Sequence, residues 1–518
     1  MDKFMRLQPS SLNRRDFLKL LALLPALAAT RIATRALSFS QTDVPGVIVI
    51  VLDALSAANM SLYGYPRQTT PNIDRFASRS NVYHAHYSTA NFTSPGTASL
   101  LTGTHPWTHR AFHYEGVMAA DRVDSNIFRY WGDSAVRLGY TQNPWVDLLL
   151  YQFSPWLDRH LDLQEFSLVQ KPFYDILFRN DPIAAYKSAE DLLRKTGSMS
   201  AAPLSSLVED IRNHLIERRK NAQFASKYPL GIPRTINDAG TYFLLEDVFD
   251  GLMQLTDQLP PASLSYIHLF PPHGPYAPQK KFLDLFIDGW QPAIKPPAHF
   301  LKSVSQEMEA ESRKLRWMYD SYVATVDFEF GRLLDFMETQ GILERNFVIL
   351  TSDHGDNYER GVDGHTNEYL YEPLIRIPLL ISSPGQASRV DLHAPTSSVD
   401  LMPTLLSLTK RPVPDTGEGT LLPGLGGEAE AQRSIFAIDT KASSVRGPIR
   451  NATISLRKGR YKLIAYLGYK GFEDGYELYD LQNDPEEMND LFRSKPETVS
   501  ELRHEVAEKL RQVNAPYL

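Results

Sequence analysis

Two uninterrupted apolar runs set the frame of this chain. Residues 44–52, which contain GVIVIVL, and residues 347–352, FVILTS, are rich in β-branched side chains and show no polar alternation. A strand of that kind is buried on both faces, as inside a parallel sheet. Each run stops at an aspartate, Asp53 in one case and Asp353 in the other. The spacing of apolar positions over 323–340 predicts an amphipathic helix just ahead of the second strand. Open α/β sheets collect ligands beyond the C-terminal ends of their strands, so the two acids are expected at one shared site.

Further along the chain, Pro95-Gly96 makes a turn that opens a short helix through Leu100-Leu101-Thr102, and SLSYIHLF reads as another strand. Residues 147–260 carry more helix-forming and polar positions, with loop-like breaks at 197–203 and 228–233, and are read as a mostly helical insertion that shapes a cleft. From residue 433 a smaller unit follows: strand-like ATISLRKGRYKLIAYL, then YELYDLQNDPEEMNDL, then a closing amphipathic helix. The expected architecture is α/β, a mostly parallel sheet sandwiched between helices. It occupies one large catalytic domain over 44–432, with a small C-terminal α+β subdomain over 433–518.

The N-terminus changes the picture of where the protein works. Asn13-Arg14-Arg15-Asp16-Phe17-Leu18-Lys19 precedes an apolar run from Leu20 to Ala29 that is too short to span a bilayer. Residues 1–36 therefore resemble a twin-arginine export signal, which predicts a partnership with that export machinery and a periplasmic or extracellular destination. The chain carries no cysteine among its 518 residues, which suits an exported protein that relies on core size. Residues 1–36 have a net charge of +5, so the overall −7 leaves −12 for the remainder. An acidic surface of that size argues against nucleic acid as a partner.

Candidate chemistry gathers at the strand ends. Asp353-His354 and Asp53 supply two carboxylates and an imidazole, and with the Thr93 hydroxyl they could surround one divalent cation. Carboxylate oxygens favour calcium or magnesium, whereas a histidine nitrogen moves the expectation toward zinc or manganese. Thr93 sits at the start of the Pro95-Gly96 helix, where free backbone N–H groups and the dipole favour an anion. An ordinary helix-capping role is the competing reading for this threonine.

Together these segments resemble the sulfatase family of the alkaline phosphatase superfamily. The resemblance runs through VIVIVLDALSAANMSLYGYPRQTTPNIDRFA, FTSPGTASLLTG, HLFPPHGPY, VILTSDHGDNYERGVDGH, RIPLLISSPG and the C-terminal run. It implies that Thr93 takes the nucleophile's place, that Asp53, Thr93, Asp353 and His354 hold one metal, and that the metal is zinc, manganese, calcium or magnesium. It further implies that His273 stands near the ester oxygen and His365 near the substrate anion. A formylglycine is not expected, because the cysteine that gives rise to it is absent.

Three departures from the family pattern bear on function. Ala54 replaces a second metal-binding aspartate, Thr97 replaces the arginine beside the nucleophile, and Thr141-Gln142-Asn143-Pro144-Trp145 replaces a Lys-Trp-His run. Fewer charged contacts weaken an arylsulfatase reading and leave a hydroxyl-nucleophile hydrolase of a sulfate or phosphate ester. A phosphodiester or phosphonate ester is the favoured chemistry, on a small-molecule, glycan or lipid substrate. A phosphoryl transferase and a catalytically inactive exported binding protein are the alternatives. His268 is read as a core-facing structural histidine ahead of a second metal ligand, and His84, His86, His105, His109 and His113 as structural or cleft-lining.

Overall fold

The computed structural model describes residues 44–113, 117–168, 215, 217–235 and 241–518. The 1–36 export signal and a large part of the 147–260 insertion lie outside the described residues. Residues 45–518 form one compact unit.

The principal sheet has eight strands: β1 (Gly46–Leu52), β2 (Asn81–Tyr83), β3 (Arg137–Thr141), β4 (Arg159–His160), β5 (Leu264–Leu269), β6 (Asn346–Thr351), β7 (Leu379–Ser382) and β8 (Val390–Leu392). Their order is β8-β2-β7-β6-β1-β5-β3-β4. All neighbours run parallel except β7, which is antiparallel to both β6 and β2. The two apolar runs thus lie side by side at the centre, with Val47 opposite Phe347 and Val51 opposite Thr351.

Both faces of β1 are covered, which is why its sequence shows no alternation. Ile48, Ile50 and Leu52 pack into a core shared with α3 (Leu245–Asp257) and α4 (Gln306–Thr339). Val47, Val49 and Val51 on the reverse face are buried as well. Helices α1 (Thr93–Thr102), α2 (Pro144–Gln152) and α5 (Leu401–Leu408) complete the catalytic part.

Helix α4 begins well before the predicted 323–340 stretch. Ser305 caps it by accepting from Met308 N at 3.2 Å, and Glu307 and Glu309 lie in the first turn, where the dipole favours acids. Its middle is interrupted by a buried acid, Asp320, which is bonded to Tyr65 (2.6 Å), Arg67 (2.8 Å) and Asn59 (3.0 Å). A charged residue on the core-facing stripe breaks the periodicity that marks an amphipathic helix.

The C-terminal unit is an antiparallel sheet of β9 (Ile435–Asp439), β10 (Ala452–Lys458), β11 (Tyr461–Leu467) and β12 (Gly475–Asp480). Helix α6 (Pro496–Asn514) covers it, setting Val499, Leu502 and Val506 against Ile454, Leu456, Leu463 and Leu478. The sheet is tied to the segment ahead of α1 by Ile438 N donating to Thr89 O at 2.8 Å. Lys462, fully buried, pairs with Glu372 at 2.9 Å and Glu487 at 2.8 Å.

Candidate active site

The strand order carries Asp53 and Asp353 to neighbouring positions. Asp53 leaves β1 with its N–H donating to Leu269 O at 3.0 Å. Ser352 joins the two strand ends, with its Oγ 2.7 Å from Leu52 O and accepting from Leu55 N at 2.9 Å. Asp353 Oδ1 then accepts from His354 N at 3.0 Å and Ala54 N at 3.3 Å. The following Gly355 is dictated by space, since a Cβ there would lie 2.0 Å from Pro373 O.

Two carboxylate oxygens are left over. Asp53 Oδ1 and Asp353 Oδ2 are buried and have no hydrogen-bond partner among the described residues. His354 Nε2 lies 3.5 Å from the first and 3.6 Å from the second. Its Nδ1–H donates to Gly355 O at 2.8 Å, which turns the Nε2 lone pair toward the acids. Burial, reinforced by neighbouring His365, pushes His354 down to about 3, so the ring is neutral.

The two acids titrate in opposite directions. Burial raises the Asp53 carboxyl, but the His268 hydrogen bond and the adjacent imidazoles outweigh it and hold Asp53 below the ordinary carboxylate range. Asp353 is pushed well above that range by burial and by the Asp53 charge. A pit that resists a second negative charge, lined by unpartnered carboxylate oxygens and a neutral imidazole, fits a divalent cation.

Thr93 is the first residue of α1, and the capping position belongs to Phe92, which makes no side-chain cap bond. The helix-capping reading of Thr93 is therefore corrected: its Oγ1 faces His354 Nε2 at 3.3 Å instead. Asp53, Asp353 and His354 are fully buried, whereas Thr93, His273 and His365 each retain 5–7 % exposure. These three groups form the less buried rim of the pit.

On that rim His273 Nε2 and His365 Nε2 are 3.1 Å apart. His273 Nδ1 faces Gly274 O at 2.5 Å, and His365 Nδ1 faces Asp356 Oδ1 at 3.3 Å. Each Nδ1 thus has an acceptor, which turns the two Nε2 atoms toward each other, and burial lowers the His273 imidazole below its ordinary value. Asp356 is kept anionic: burial raises it, but the His365 charge and hydrogen bond, aided by Tyr358, bring it below its ordinary value. Tyr276 and Tyr358 donate to its other oxygen at 3.0 and 2.7 Å.

Two side chains at the pit were not singled out as site residues from sequence. His268, on β5, places Nε2 3.2 Å from Asp53 Oδ2 and 3.8 Å from Asp353 Oδ2, so its core-facing reading holds for burial and fails for partners. Asn143 donates from Nδ2 to Asp53 Oδ2 at 2.5 Å while its Oδ1 caps α2 at Trp145 N. The departure from the Lys-Trp-His run was the available signal for Asn143. His86 and His109 sit elsewhere, bonded to Thr396 and Ser99.

The sequence and the fold are similar to those of known proteins. A model of the sulfatase family matches residues 45–147 and 179–410, and one described as N-sulphoglucosamine sulphohydrolase, C-terminal, matches 364–516. The ulvan-active sulfatase of Formosa agariphila is 25% identical over 487 residues, covering 90% of this chain and 80% of that protein. The choline-sulfatase of Rhizobium meliloti is 28% identical over 249 residues, 44% of this chain and 45% of its own length. In fold, the crystal structure of the phosphonate monoester hydrolase of Agrobacterium radiobacter superposes with a TM-score of 0.62 at 17% identity, covering 92% and 96% of the two chains. With the family model matching more than half of its 518 residues, this chain belongs to the sulfatase family, the ester hydrolases of the alkaline phosphatase superfamily.

Proposed function

We propose that the protein is an exported, metal-dependent hydrolase that cleaves a monoanionic sulfate or phosphate ester, with a phosphodiester or phosphonate monoester favoured, through the Thr93 hydroxyl. The 3.3 Å contact of Thr93 Oγ1 with His354 Nε2, beside two unpartnered carboxylate oxygens, carries this reading. Asp53, Thr93, Asp353 and His354 would hold one divalent cation. When bound, it supplies charge that favours the ionised hydroxyl and shields the ester's non-bridging oxygens.

Thr93, its hydroxyl proton released to solvent, attacks phosphorus or sulfur through Oγ1 in line with the leaving oxygen. As that bond forms, the ester bond breaks and its electron pair goes to the leaving oxygen, which takes a proton from His273. Asp356 orients His365 through Nδ1. The amide groups at the start of α1 face the ester's remaining oxygens. Water, giving a proton back to His273, then displaces the Thr93 oxygen, and an alcohol doing so instead would make the same site a transferase.

Charge selects the substrate class. Thr97 stands where the family pattern has an arginine, so positive charge at the site is limited to one cation and the two histidines. One negative charge on the ester suits that supply better than two. The ulvan-active and choline sulfatase relatives support the ester of a glycan or small molecule. Export follows from Arg14-Arg15 and the short apolar run after them.

Trapping tests the mechanism. A slow phosphodiester or sulfate ester should leave the mass of its acyl-type group, phosphoryl or sulfuryl, on the peptide containing Thr93. Thr93→Ala should stay folded, carry no adduct and lose most turnover. Undiminished turnover by that variant on a verified substrate would remove Thr93 from the mechanism.

A further inference from the structure

We infer that His268 is a ligand of the metal in this chain, which gives the site two imidazoles and replaces the carboxylate lost at Ala54. The inference rests on the metal-dependent reading above and goes beyond its four-residue ligand set.

Ala54 can offer the pit only its backbone: its N–H goes to Asp353 Oδ1, and its carbonyl accepts from Tyr319 at 2.7 Å. On the opposite side of Asp53, β5 runs parallel to β1 with His268 opposite Val51, one strand away from the acid. His268 is fully buried, so its ring has no access to solvent and must be satisfied inside the protein. Its Nδ1 is paired with the Tyr266 hydroxyl at 3.0 Å, and its Nε2 faces the pit, where binding the metal would replace its hydrogen bond to Asp53 Oδ2.

The spacing of the donors supports a common centre. His268 Nε2 is 3.2 Å from Asp53 Oδ2 and 3.8 Å from Asp353 Oδ2, while His354 Nε2 is 3.5 and 3.6 Å from the other oxygen of Asp53 and the same oxygen of Asp353. Ligands at about 2.0–2.1 Å from a tetrahedral ion stand roughly 3.3–3.4 Å from one another, and the contacts among His268 Nε2, His354 Nε2, Asp53 Oδ1 and Asp353 Oδ2, at 3.5, 3.6 and 3.8 Å, lie a few tenths of an ångström outside that range. Asp53, His268 and Asp353 each bring one donor atom within 4.8 Å of the other two. Asn143 takes up Asp53 Oδ2 from the far side, fixing the carboxylate so that Oδ1 stays available. Two imidazole nitrogens with two carboxylates suit zinc or manganese and disfavour calcium, whose sites are built from oxygen.

The test counts imidazoles on the metal. The purified full-length protein is stripped with a chelator, reloaded with zinc and examined by zinc X-ray absorption, in which each bound imidazole contributes its own scattering signature. Two imidazoles are expected in the unaltered protein and one in His268→Gln, with zinc affinity lower by more than the about 10- to 100-fold that loss of an outer partner causes, and calcium affinity changed far less. One imidazole in the unaltered protein would overturn the assignment of His268 while leaving the metal-dependent reading intact. Failure to retain any divalent metal would overturn both. Because the decisive count is made on the unaltered protein, the result does not depend on how well the variant folds.

Discussion

Gly96 lies directly beneath the backbone of Asp353: a Cβ on Gly96 would stand 2.4 Å from Asp353 O and 3.1 Å from its carbonyl carbon. The same carbonyl accepts from Ser88 Oγ at 2.5 Å. Helix α1 is thereby seated against the acid-bearing loop, and the position of Thr93 relative to His354 depends on that seat. Gly96→Ala should displace α1 and lower kcat by about 100-fold, since a displacement near 1 Å at a reacting atom has that effect. The check is kcat on a verified ester together with circular dichroism to show a retained fold. Unaltered kcat would mean that α1 shifts without moving the hydroxyl.

Asp353→Asn removes an anion from the pit but keeps its shape. Metal content and hydrolysis should fall together, with affinity lost by more than the about 10- to 100-fold that outer partners of a metal ligand contribute. Elemental analysis of the purified variant is the measurement, and full metal content would take Asp353 out of the ligand set.

Export depends on the paired arginines if the N-terminal segment is a twin-arginine signal. Replacing Arg14 and Arg15 with lysine should leave precursor in the cytoplasm of a bacterium that has the pathway. Fractionation and immunoblotting read the outcome, and normal export would assign the segment to the general secretory route.

Acid should destabilise the fold through His86, which is buried against Thr396 Oγ1 at 2.9 Å. Burial, assisted by Arg433, pushes this imidazole from its ordinary 6.5 down to about 3. Between those values the unfolded chain takes up a proton that the folded chain refuses. Stability is therefore complete above about pH 6.5 and falls as the pH drops toward 3, by about 1.4 kcal/mol per pH unit for one such group. His109, also pushed to about 3 by burial, adds in the same direction. Urea midpoints at pH 7 and pH 5 should differ, and His86→Gln should reduce the difference. An equal difference in the variant would show that His86 does not carry the effect.

Local patterns were enough to locate the two central strands, the acids that end them, the Thr93 helix and the C-terminal sheet with its covering helix. Each is written in contiguous residues, as an unbroken apolar run, a turn before a helix or a strand-like stretch, so no knowledge of distant contacts is needed. The start of α4 was not legible, because Asp320 occupies its core-facing side and is satisfied by Tyr65, Arg67 and Asn59 from elsewhere in the chain. His268 and Asn143 were missed as site residues for a related reason. His268 reads as a core histidine ahead of a ligand, and Asn143 is visible only as part of a departure from the Lys-Trp-His run. Only the parallel register of β1 with β5, and of β5 with β3, brings them to Asp53. The facing of His273 Nε2 and His365 Nε2 likewise depends on where Gly274 O and Asp356 stand around the two rings. The chain by itself determined which residues could do chemistry. Strand register and burial decided which of them meet, because a donor's role is set by the partners that fold around it.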